Sequence, residues 1–194
     1  MKKFTGPAER SARPVPAGTR SAPVPPTRIR PTSGRPPERS LTMYFAHAPK
    51  LVLTGSSDLL RPLGDRAAVL GAEVVVVAAD PGLPVGDVDG FDVAVVGVGG
   101  VAEAARDLGR ATEVLAPGLR RGALLIVSSP AGLRSLESEG RAFAACLAER
   151  SGLDLGDEFS VVAKEGDAIT WHTGEEGAEV ARYLVSRIAA VPTV

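Results

Sequence analysis

Four short apolar runs constrain this chain more than any other feature: 50–54 (KLVLT), 73–79 (EVVVVAA), 92–96 (DVAVV) and 123–127 (ALLIV). Each is five to seven residues long and rich in branched side chains, which is short for a buried helix and right for a strand. The run at 73–79 carries β-branched residues at consecutive positions. Both of its faces are therefore expected to be covered, as in a parallel sheet between two layers of helices. The intervening segments change period. After the first run, Leu60, Leu63, Ala67 and Leu70 fall on one helical face, with Arg61, Asp65 and Arg66 opposite. Pro62 suits a first helical turn, where the amide it lacks would have no partner. After the third run, Val101, Ala104, Ala105, Leu108 and Leu115 are expected to point inward.

Further on, Ser129-Pro130 has the form of an N-cap with proline at the first helical position. It opens a helix with Leu133, Leu136, Phe143 and Leu147 toward the core. Two more short strands are expected at 159–163 and 168–171, as a hairpin-like pair. Thr173 and Glu176 have capping-box spacing before a last helix presenting Val180, Ala181, Leu184, Val185 and Ile188. Strands alternating with helices specify an α/β fold with a doubly wound, mostly parallel Rossmann-like sheet in three layers, α/β/α. Its middle is shortened, because residues 80–91 (DPGLPVGDVDGF) form a loop of turn formers where another strand-helix unit would fit.

Charge divides the chain. Residues 1–42 hold nine Lys/Arg against Glu9 and Glu38, and nine of the 16 prolines, in a protein whose net charge is −1. Such a segment cannot bury enough apolar surface to offset its ordering entropy. It is expected to be a disordered tail preceding a domain at 43–194. The tail lacks the apolar stretch of a signal peptide and reads as an extension, with Met43 a candidate start. One cysteine excludes an internal disulfide, and two histidines make a Cys/His zinc site unexpected. No apolar run approaches the ~18 residues of a membrane span. With aromatics at 4%, base-stacking surfaces are not expected either. The expectation is a cytoplasmic protein with no membrane and no specific nucleic-acid partner.

Ligands of doubly wound folds bind at the carboxyl ends of strands, against helix N-termini. Three such ends are candidates: Gly55-Ser56-Ser57, the run Gly97-Val98-Gly99-Gly100-Val101-Ala102, and Ser128-Ser129. The second fits G-x-G-x-x-A but has no strand-end acid about 20 residues later. Asp80 stands 25 positions after Gly55, near where a ribose-binding acid belongs; it is equally suited to a solvated turn before Pro81. Cys146, between Phe143 and Leu147, is expected in the core. His172 is expected at a surface strand end, near the start of the last helix, where a general base is conceivable. His47 is expected to be solvated. Asp87, Asp89 and Asp92 are expected to form a turn rather than a metal site.

Residues 50–80 and 121–135 (RGALLIVSSPAGLRS) resemble the short-chain dehydrogenase/reductase family. The first resembles that family's opening strand, its T-G turn and its second strand; the second resembles the strand carrying the catalytic serine. The shortened middle is similar to the degenerate N-terminal domain of the high-molecular-weight 3-oxoacyl-[acyl-carrier-protein] reductases. The resemblance implies NAD(P) as cofactor, held by Gly55, Ser56, Ser57, Asp80, Gly97 and Gly99, with Ser129 at the catalytic serine's position. It also implies a homodimer through residues 180–188, or a catalytic reductase chain as partner, although those residues would serve equally well to pack on the sheet. Two features depart from the family. Leu59, Leu60 and Arg61 occupy the later glycine region, and the only tyrosines, Tyr44 and Tyr183, form no Y-x-x-x-K pair. Hydride transfer needs a proton donor beside the forming alkoxide, so an active reductase standing alone is not expected. Residues 74–130 also resemble a class I S-adenosylmethionine-dependent methyltransferase, through Leu83-Pro84, Phe91-Asp92 and residues 114–118 (VLAPG). That alternative implies S-adenosylmethionine as cofactor, with an eroded glycine loop.

Overall fold

The computed structural model describes residues 45–77, 87–130 and 136–189. The elements run β1 (Lys50–Gly55), α1 (Leu60–Val69), β2 (Glu73–Val77), β3 (Val93–Gly97), α2 (Val101–Leu115), β4 (Ala123–Ser129), α3 (Leu136–Ser151), β5 (Phe159–Glu165), β6 (Ala168–His172) and α4 (Glu175–Ala189). They build one six-stranded sheet in the order β2-β1-β3-β4-β5-β6. All pairings are parallel except β5 with β6, which is antiparallel. The expected doubly wound Rossmann-like sheet is therefore present. The expected tail at 1–42 lies outside the described residues. No described helix is long and apolar enough to cross a membrane.

Strand alternation sorts the core into two layers. Val52, Ala94, Val96, Leu125, Val127 and Val161 point to one face, where α2 and α3 cover them through Leu108, Leu115, Phe143 and Leu147. Leu51, Leu53, Val93, Val95, Ile126 and Val162 point to the other, under α1 and α4. Period-two alternation assigns each strand residue to a face, and burying each large aliphatic side chain contributes about 1.5–3 kcal/mol. Two glycines let helices sit close to the sheet. A Cβ on Gly64 of α1 would lie 2.8 Å from Leu53 Cδ1, and one on Gly177 of α4 would lie 2.7 Å from Ser160 Cβ.

Several local expectations differ from the structure. β2 is an edge strand whose cover is partial: Val75 and Val77 pack on one layer and Val74 on the other, while Val76 is 62% exposed. Val101 and Ala105 of α2 are exposed, and Asp107 takes an inward position instead. Cys146 is exposed, because it lies about a sixth of a turn beyond Phe143, on the side away from Ala144 and Leu147. Glu175 opens α4 and Gly174 precedes it. The Thr173 hydroxyl accepts the Val161 N–H at 3.0 Å, which ties it to β5 rather than to a capping box.

At the amino ends of the strands, Asp92 is the fixed point. It is 6% exposed, immediately before β3 rather than within the turn expected of it. Its Oδ2 accepts the Lys50 N–H at 2.8 Å and lies 3.1 Å from His47 Nε2, while Oδ1 pairs with Arg120. His47 is thus engaged, though its side chain remains 58% exposed. The carboxylate joins the start of β1 to the start of β3.

Candidate functional site

Because β1 leads to β2 in one direction and β3 leads to β4 in the other, crossovers of one hand place α1 and α2 on opposite faces. The sheet's switch point therefore lies between the carboxyl ends of β1 and β3, where α/β folds open a ligand crevice. The two strands pair to their ends, Gly55 against Gly97. The turns after them bring Gly55, Ser56, Ser57, Gly97 and Gly99 together. Asp80 lies outside the described residues. Ser129 is set apart: it is the last residue of β4, 1% exposed, and its hydroxyl donates to the Pro130 carbonyl at 3.2 Å. It belongs to the strand rather than to a helix N-cap, and residues 131–135, where the expected helix would open, lie outside the described residues.

A phosphate at such a crevice would need turn amides directed outward. Here the Gly97 carbonyl accepts both the Ser56 N–H at 2.9 Å and the Ser57 N–H at 3.1 Å. Gly55 has φ +116°, and a Cβ on it would stand 2.1 Å from that carbonyl oxygen. Glycine is required here so that one turn can touch the other. Gly97 is equally enclosed: its Cβ would meet Leu60 Cγ at 2.7 Å and Ser57 Cβ at 2.8 Å. The leucine in the later glycine region thus fills space beside the turn.

Side chains complete the closure. Ser56 Oγ accepts the Gly99 N–H at 3.2 Å and donates to Asp107 Oδ2 across from α2. Asp107 is 3% exposed, and Arg106 Nη2 lies 3.5 Å from its other oxygen. A buried carboxylate needs such partners, because an unpaired one costs several kcal/mol. At the start of α2, Glu103 folds back until its Oε2 is 2.7 Å from the place of a Gly100 Cβ. A carboxylate already lies at the helix end that would attract an anion. The remaining cavity, between Thr54, Gly55, Arg106, Asp107 and Arg110, is about 10 Å³, roughly room for one water.

Sequence reasoning missed Asp107, Glu103 and Arg106. One signal was present: Asp107 falls three residues after Ala104 and four before Ala111, an inward position where a carboxylate must find a partner. His172 lies at the far end of the sheet, with Nε2 3.5 Å from Glu175 and Nδ1 buried without a partner. It cannot serve chemistry at the switch point. Asp87 accepts the Asp89 N–H at 3.0 Å and the Lys50 ammonium at 3.1 Å. Those contacts, the backbone one first, lower its pKa. Among the described residues no group of three His, Cys, Asp or Glu could hold a metal ion.

The sequence matches no protein-family model, and none of the curated proteins matches it. Among solved structures, UDP-D-ManNAc dehydrogenase from Pyrococcus horikoshii is similar at 15% identity and TM-score 0.53, over 71% of this chain and 44% of that one. UDP-N-acetyl-mannosamine dehydrogenase from Staphylococcus aureus aligns at 19% identity and TM-score 0.44, over 59% and 36%. A flavodoxin from Streptococcus pneumoniae TIGR4 aligns at 18% and 0.42, over 73% and 97%. This chain spans less than half the length of the two dehydrogenases. The likeness to the Pyrococcus enzyme is one of architecture: this chain has a Rossmann-like fold.

Proposed function

We propose that this chain is a Rossmann-type domain of the short-chain dehydrogenase/reductase kind whose nucleotide site has been filled from within. It acts through contact with a partner chain, a second copy or a catalytic reductase, and performs no hydride transfer of its own. One observation carries this reading: the Gly97 carbonyl holds both the Ser56 and Ser57 amides, the donors an NAD(P) diphosphate would require. The missing Y-x-x-x-K pair supports it, since no proton donor can be named for a carbonyl substrate. Ser129 supports it too, because its hydroxyl bonds to the adjacent carbonyl.

The test is calorimetric titration of the full chain with NADH, NADPH and S-adenosylmethionine. The expected result is no saturable heat up to about 1 mM of each, weaker than ~−4 kcal/mol. Micromolar binding of either nicotinamide cofactor would overturn the reading and restore Asp80 as a ribose ligand to be mutated. Micromolar binding of S-adenosylmethionine would overturn it in favour of the methyltransferase alternative.

A further inference from the structure

On the face opposite α2 and α3, helices α1 and α4 do not close over the sheet. Between them lies a cleft of about 240 Å³. Its floor is Leu51, Val93, Val95 and Ile126, and its walls are Leu63 of α1 and Leu184 of α4. Drug-sized pockets run to about 300–1,000 Å³, so this one suits a slender molecule. It shares no residue with the switch-point crevice, and a ligand can occupy it whether that crevice is closed or open.

Polar groups gather at one end. Ser128 of β4 and Lys164 of β5 are register partners, two residues past the inward pair Ile126 and Val162. Alternation therefore turns both toward the cleft, and both line it. The Lys164 ammonium is held partly out of water, which lowers its pKa, while Asp167 acts in the opposite sense. No ion pair joins Lys164 to a carboxylate within 4.0 Å among the described residues. Asp167 is exposed in the turn before β6. Arg66 also lines the cleft, on its α1 wall.

The geometry points to a binding site for an unbranched aliphatic carboxylate, its chain along Val93, Val95 and Ile126 and its head group on Lys164 and Ser128. The chain removes apolar surface from water. The head group supplies the anion that a half-buried ammonium is missing, through a charge-assisted hydrogen bond.

The experiment titrates the full chain with octanoate, and with octan-1-ol as its uncharged match. Calorimetry gives the affinity, and methyl chemical shifts give the location. Octanoate is expected to bind with a dissociation constant at or below about 1 mM, shifting the methyls of Val95, Ile126 and Leu184. Lys164→Gln weakens it about tenfold or more, whereas Lys164→Arg retains it. Octan-1-ol binds more weakly and is indifferent to Lys164→Gln. Asp167→Asn, at an exposed position, tightens octanoate by about two- to threefold by removing a repelling charge. Ala189→Trp, at the exposed rim, blocks both ligands. Absence of octanoate binding, equal loss of acid and alcohol in Lys164→Gln, or methyl shifts away from this cleft would each overturn the assignment.

Discussion

Ser56 and Asp107 are 51 residues apart, and their hydrogen bond latches β1's turn to α2. Replacing Ser56 with Ala removes the donor to a carboxylate that is 3% exposed, and removes the acceptor of the Gly99 N–H. A hydrogen bond to a charged group contributes about 1.5–3 kcal/mol. Arg106, at 3.5 Å and largely exposed, recovers a small part by moving closer. The single variant should therefore lose about 2–3 kcal/mol of unfolding free energy. Asp107→Ala should lose a similar amount, because Ser56 Oγ keeps its backbone contact but loses its acceptor. If the two groups act on each other, the double variant loses less than the sum. A coupling of about 1–2 kcal/mol is expected, within the 0.5–3 found for contacting pairs. Urea unfolding followed by circular dichroism measures all four corners of the cycle, provided the slope m stays constant. A coupling below about 0.5 kcal/mol would refute the latch and reopen the crevice to a ligand.

Other substitutions test the neighbouring contacts. Gly55→Ala forces a side chain into a φ of +116° and to within 2.1 Å of a carbonyl oxygen, so a loss of at least about 3 kcal/mol, or no folded protein, is expected; a melting temperature unchanged in calorimetry would contradict the packed turn. Asp92→Ala strands the Lys50 N–H and frees Arg120, with an expected cost of about 2–4 kcal/mol by urea titration, while Asp92→Asn keeps an acceptor for Lys50 and should lose less. Burial lowers the Lys164 pKa below the 10.5 of the unfolded chain, so its charged form disfavours folding below that lowered pKa. As pH rises toward 10.5 the penalty lifts, and wild type should gain stability relative to Lys164→Met; a stability difference flat across alkaline pH would contradict the burial.

The fold was legible because its signals are local. KLVLT, DVAVV and ALLIV are central strands buried on both faces, and each run states this through consecutive apolar residues. EVVVV has the same composition yet lies at the edge among the described residues, since nothing within those five residues records what pairs beyond them. Strand order depends on crossovers, and the short 80–91 segment shows only that a unit is shortened. The helical faces were legible through Leu108, Phe143, Leu147 and Leu184. They failed at Val101, 61% exposed at the start of α2 although Ala104 is buried, and at Cys146, which lies beyond the edge of the buried face.

The approach of the two glycine turns was legible in the sequence but the direction of their amides was not, and the reason lies in the backbone. G-x-G-x-x-A records where side chains are absent, and both a diphosphate and a second turn require that absence. What separates the two outcomes is the direction of a few amides, and in this chain Ser56 and Ser57 aim theirs at the Gly97 oxygen. A phosphate would have to displace that carbonyl, free Ser56 from Asp107 and move Glu103 from the start of α2. Each exchange replaces a formed contact with another of similar worth, so even a fully formed diphosphate contact would bring little net gain. In the proposed reading the glycines that announce a nucleotide are the means of closing its site, and the acid that matters is Asp107, whose partner no local pattern could name.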